Sequence, residues 1–143
     1  MKIAIVGSLD FTNEIKEIAN KLVEKGHEII IPVTSEMILN NKVTLEQIKK
    51  EKSSGEIYKR MIKQNTLKYF YEKIKEVDAI LVLNFDKRGI KNYIGGNVLL
   101  EMGFANVLNK RIFLLNDVPD IFYKDEIKAM QPIILNGDLN RIV

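Results

Sequence analysis

The sequence predicts an α/β fold: one doubly wound, open parallel sheet of about five strands with helices on both faces. Short β-branched runs alternate with amphipathic stretches along the whole chain. The opening strand, helix and second strand also form a βαβ unit, whose right-handed crossover makes the strands parallel.

Residues 2–6 are an apolar β-branched run ending in Gly7 and Ser8, and a helix follows over 12–25 with Ile15, Ile18, Ala19, Leu22 and Val23 on one face. Gly26 stops that helix, and residues 28–32 read as the second strand. Residues 34–54 are polar and Lys-rich, which suggests a mobile flap, although Thr44 with Gln47 three positions on fits a capping box for a short helix. Helical periodicity resumes over 55–77, and residues 78–84 form a buried central strand. Beyond a loop rich in Gly and Asn, Gly96 and Asn97 open a helix to about 109; strand 111–115, a turn at 116–120, a short helix at 125–130 and a last strand at 132–135 complete the chain. The alternation fits a flavodoxin-like or Rossmann-like sheet, with no internal repeat or low-complexity linker.

A chain of 143 residues with 46% hydrophobic content suits one core, so a single domain over 1–143 is expected. The absence of cysteine excludes disulfides, thiolate catalysis and Cys-ligated metal sites. No metal or other cofactor is implied. The opening residues carry no secretory-leader pattern, and the longest apolar runs, such as 79–83 and 112–115, are far shorter than the roughly 20 residues that span a bilayer. A cytoplasmic protein without membrane association is expected. The 22 Lys and Arg interleave with 19 Asp and Glu, leaving a net charge of +3, which reads as solvated helix faces and not as a track for a nucleic acid polymer. Lys87, Arg88 and Lys91 form a local basic patch suited to one small anion.

Open parallel sheets bind ligands beyond the carboxyl ends of their strands, which points to Gly7, Ser8, Asn84, Asp86, Gly95, Gly96, Asn97 and Asn116. Neither GxGxxG after the first strand nor GxxxxGK[ST] is present, so dinucleotide and Walker-type sites are disfavoured. Gly7 and Ser8 alone are ordinary in a strand-to-helix turn. Glu101 is the sharper signal, because it interrupts the apolar run from Val98 to Ala105, where a charge out of water costs several kcal/mol unless it is paired or faces a cavity. With Asn97 as the cap, a capping box would need Glu at position 100, so a cap does not explain it. Asn97 and Glu101 lie one turn apart and share a helix face. His27 is an ordinary turn residue, and Asp78 is placed to pair locally at the start of its strand.

The segments VGS, DAILVLN, GGNVLLEMGFANVLNKRIFLLN and a late AMQ resemble the nucleoside 2-deoxyribosyltransferase superfamily, which includes deoxynucleoside 5′-monophosphate N-glycosidases. The likeness spans nearly the whole chain apart from 34–54, and its specific part is Glu-x-Gly-x-Ala on a helix after a Gly-containing turn. It implies an N-glycosidic hydrolase or deoxyribosyltransferase acting on a small nucleoside or nucleotide. Glu101 would attack the anomeric carbon; Gly7, Ser8, Gly95, Gly96 and Asn97 would hold the sugar 5′ end or a phosphate. Met130 would pack near the site, and the protein would be a homo-oligomer whose subunits complete one another's sites.

Three departures accompany the resemblance. Phe70 stands near the position of the family's leaving-group aspartate, with Asn65, Tyr69 and Tyr71 as possible substitutes. Ala4 replaces a tyrosine on the first strand, and Gly95 an acidic residue or serine. The loop over 85–93 is longer, placing Lys87, Arg88 and Lys91 to pair with a phosphate. The missing aspartate raises an alternative, a nucleotide-binding module without turnover. A third reading buries Glu101 in a salt bridge at a subunit interface.

Overall fold

A strand with an unbroken apolar run has to be covered on both faces, and β1 (Lys2–Gly7), apolar from Ile3 onward, and β3 (Ala79–Leu83) are such strands. In the computed structural model, which describes residues 1–143, their side chains alternate between two cores. Ala4, Val6, Ile80 and Val82 point to one, and Ile3, Ile5, Ala79, Leu81 and Leu83 to the other. The second face is covered by α1 (Thr12–Glu24), through Ile15, Ile18 and Leu22. The first is covered by α5 (Thr66–Lys75), α6 (Gly96–Val107) and α7 (Lys124–Ala129), through Phe70, Ile74, Val98, Met102, Ala105 and Ile127.

The sheet is completed by β2 (Glu28–Ile30), β4 (Arg111–Leu114) and β5 (Ile133–Ile134). All five strands are parallel, in the order β2-β1-β3-β4-β5. That is the flavodoxin-like order of a doubly wound sheet, whose switch point lies between β1 and β3. No helix is long and apolar enough to cross a membrane.

Two stretches differ from the sequence expectation. Residues 34–54 hold two helices where one short one is expected, α2 (Val33–Leu39) and α3 (Leu45–Ser53), and Thr44 caps α3 as the capping-box spacing predicts, accepting the Gln47 N–H at 3.1 Å. The helical pattern over 55–77 is two helices, α4 (Ile57–Gln64) and α5, because Asn65 adopts φ +50° and turns the chain between them. Asp78 pairs locally as expected, accepting the Lys2 N–H at 2.8 Å.

Candidate functional site

The end of β1 and the loops that follow β1 and β3 form the floor of a cleft of about 400 Å³, within the range of small-molecule sites. Gly7 ends β1 against β3 so closely that a Cβ would lie 3.2 Å from the Leu83 carbonyl oxygen, which keeps a side chain off the floor. Helix α6 rises from the far side with Gly95 as its cap. Asn97 is therefore the second helical residue and not the cap, but a capping box is still absent, since Gly95 has no side chain and Val98 stands three residues on.

The buried stripe of α6 is Val98, Glu101, Met102 and Ala105, the i, i+3, i+4, i+7 set of one helix face. Glu101 thus occupies a core position, and it lines the cleft. It is 8% exposed and forms no salt bridge; its carboxyl oxygens are not sealed in the interior. Burial alone pushes its carboxyl up to about 8, since no cation or donor offsets the lost hydration. It is the only carboxylic side chain lining the cleft.

Four cationic side chains share that lining: Lys52, Arg60, Lys87 and Arg88. Lys87 donates to Ser8 Oγ at 2.7 Å and pairs with Asp10 at 2.9 Å, tying the loop after β1 to the loop after β3. Burial acts to raise the Asp10 carboxyl, but the hydrogen bond and charge of Lys87, with Lys52 and Lys49 behind them, outweigh it and hold it below the ordinary range. Lys52 is pushed below the ordinary lysine value by burial and then by repulsion from Lys87. Arg88 sits at φ +54° in a tight turn closed by the Lys87–Ile90 bridge, and its guanidinium lies 5.9 Å from the Tyr93 ring centre. Arg60 is held by Glu51 through two bonds of 2.6 Å.

The remaining wall comes from the α2–α4 cover. Ile57, Arg60, Met61 and Gln64 form one face of α4, all of them lining the cleft and none fully buried. Asn97 Nδ2 reaches Met61 Sδ at 3.9 Å, linking α6 to that cover.

Of the residues anticipated from sequence, the structure brings together Gly7, Ser8, Gly95, Gly96, Asn97 and Glu101, with Lys87 and Arg88 of the basic patch. Five others lie outside the cleft lining. Asn84 is fully buried: its amide donates to the carbonyls of Asn116 and Asp117 and accepts the Asn116 N–H, while the Asn116 amide donates back to the Asn84 carbonyl. This reciprocal pair clamps the ends of β3 and β4. Asp86 closes its own loop by accepting the Asn92 N–H at 2.9 Å. Met130 packs on the α5–α7 core. Lys91 is exposed and also outside.

Phe70, where the resemblance leads one to look for an aspartate, is 3% exposed and forms apolar wall. Asn65, Tyr69 and Tyr71 do not line the cleft, whereas Tyr93 does. Sequence reasoning missed Thr34, Lys52, Arg60, Gln64 and Tyr93. The α4 face carries a readable signal in the spacing 57, 60, 61, 64, which the apparent continuity of 55–77 obscures.

No protein-family model and no curated protein matches the chain. Among solved structures, the CMP N-glycosidase BcmB of Clostridium botulinum is similar, with a TM-score of 0.51 and 17% identity over 95% of this chain and 90% of that one. At that identity the likeness establishes the shared fold.

Proposed function

We propose that this protein cleaves the N-glycosidic bond of a nucleoside 5′-monophosphate, with Glu101 as nucleophile and water as the final acceptor. The observation that carries the proposal is Glu101 itself, an unpaired carboxyl at a core position of α6 beside a cationic cleft. The family resemblance around Glu101 and the fold shared with a CMP N-glycosidase support the same chemistry.

A Glu101 carboxylate oxygen attacks the anomeric carbon and forms a sugar ester, while the bond to the base breaks, its electron pair leaving with the base nitrogen, which takes a proton from solvent. Water then adds to the same carbon, the ester C–O bond breaks, Glu101 regains its charge and the water's surplus proton passes to solvent. Lys52, Lys87 and Arg88 give three positive charges against the single negative charge of Asp10, a surplus that suits a phosphate dianion. With its carboxyl near 8, Glu101 is ionised in roughly a tenth of free molecules at neutral pH, so kcat/KM should rise as pH approaches 8.

The test is incubation with nucleosides and their 5′-monophosphates, ribo and deoxy, with and without a second free base, followed by chromatography. Release of free base from monophosphates is expected. Glu101→Ala and Glu101→Gln should each lower it by about a thousandfold or more, the scale of losing a nucleophile. Full activity in either variant excludes the nucleophile, and appearance of an exchanged nucleotide assigns a transferase instead. A second reading, a binding module without turnover, is favoured by Phe70 and by the lack of a second carboxyl in the lining; tight nucleotide binding with no product would establish it.

A further inference from the structure

The chain order of the sheet separates the polar groups of the cleft into two sets. Ser8, Lys87 and Arg88 follow β1 and β3, whereas Thr34 follows β2 at the sheet edge and Gln64 ends α4 above it. Thr34 is 7% exposed, and its hydroxyl donates to Gln64 Oε1 at 3.3 Å. Gln64 Nε2 has only the thioether of Met37 as acceptor, at 3.3 Å. A thioether is a weak acceptor, and a primary amide has two donors and two acceptor sites, so most of this amide's capacity is unused within the chain. Pro32, Val33, Ile57, Met61 and Phe70 supply apolar lining on this side of the cleft, and Arg60, one turn before Gln64 on α4, is already engaged by Glu51. An apolar slot with one under-used amide provides stacking surface for a planar ring and a donor and an acceptor side by side for its edge.

We propose that Gln64, positioned by Thr34, reads the base of the substrate by pairing with the adjacent donor and acceptor on its hydrogen-bonding edge, and so sets base specificity. The assignment rests on the nucleotide reading above and deepens it. A nucleotide carries phosphate and base on opposite sides of its sugar, which matches the cations Lys52, Lys87 and Arg88 grouped near Asp10 on one side and, on the α4 side, an amide whose neighbour Arg60 is already paired with Glu51. Sites built to hydrogen-bond one partner reject an analogue that leaves their polar groups unpaired, whereas apolar contacts alone discriminate weakly.

The experiment measures calorimetric affinities for the 5′-monophosphates of cytidine, uridine, adenosine and guanosine, and assays the same samples for free base. The native protein should favour one of the amino and keto bases of equal ring size over the other by tenfold or more. Gln64→Leu should bring that ratio close to one. Gln64→Glu, which keeps the shape but removes the amide donor, should shift it toward the amino base, and Thr34→Val should reduce it partially. Lys87→Ala should weaken all four ligands by a similar factor and leave the ratio unchanged. Equal affinity of the native protein for both bases, a uniform loss in Gln64→Leu with the ratio kept, or no binding of any monophosphate would each overturn the proposal. Discrimination without any base release would leave the base-reading role in place and remove the glycosidase.

Discussion

The floor of the cleft and its cover are built on different physical terms. On the floor, β1, β3 and the inner face of α6 bury nearly every side chain, and the polar residues Asn84 and Asn116 are tied to each other. The cover formed by α2, α3 and α4 buries only Thr34, Ser35 and Ile48 within its helices and is held largely by polar contacts, such as Arg60 with Glu51 and the Thr12 hydroxyl with that of Ser35. A carboxyl can be kept far from its ordinary titration range only by a surrounding that does not relax around it, and the floor supplies that. Groups that admit and sort a ligand belong on an element that opens at low cost, and few apolar contacts make the cover such an element.

The largest effect expected from breaking that contrast is at Met102, the fully buried neighbour of Glu101 on the inner face of α6. Met102→Ala should destabilise the protein by about 2–5 kcal/mol, from lost transfer energy plus the cavity left behind. Denaturant titration measures it, and a loss under about half a kcal/mol would mean that the floor is not tightly packed.

The next effect is electrostatic. The Glu101 carboxyl titrates near 8 in the folded protein and near its model value of 4.5 when unfolded, so the fold holds that proton more tightly in between. Its contribution to stability is complete below about pH 4.5, falls as pH rises to about 8, and levels beyond. Gln cannot ionise, so Glu101→Gln should gain on the native protein across that window, by on the order of a few kcal/mol at its upper end. Thermal unfolding of both proteins from pH 4 to 9 checks this, and parallel curves would show that Glu101 is hydrated and not desolvated.

The same contrast explains what the sequence revealed. The floor was legible because burial writes itself into composition: unbroken apolar runs for β1 and β3, and one charge out of place on α6. Asn84 and Asn116 misled because an amide at a strand end looks the same whether it bonds a ligand or the amide opposite. The cover was harder to read: α4 carries a clear amphipathic spacing, but one left-handed Asn65 divides 55–77 where composition suggests continuity, and so hides which face turns to the cleft. Gln64 and Lys52 are residue types usual on solvated faces, and only the path of the chain turns them inward. Lys87 and Arg88 were found because they cluster in a loop already placed at the sheet edge.

The smallest expected effect probes the cover alone. Thr44 accepts the Gln47 N–H at the start of α3, and losing such a cap costs about 1 kcal/mol. Because α3 lies outside both main cores, Thr44→Ala should loosen that helix with little change in the global unfolding midpoint. Hydrogen exchange should quicken over residues 45–64 and stay unchanged in β1, β3 and α6. Lys52 borders the cleft from α3, so the same variant should raise KM for a monophosphate with kcat nearly intact, since Glu101 is carried by the floor. A matching fall in kcat, or faster exchange spreading into α6, would mean that cover and floor form one cooperative unit, and the division of labour between them would not hold.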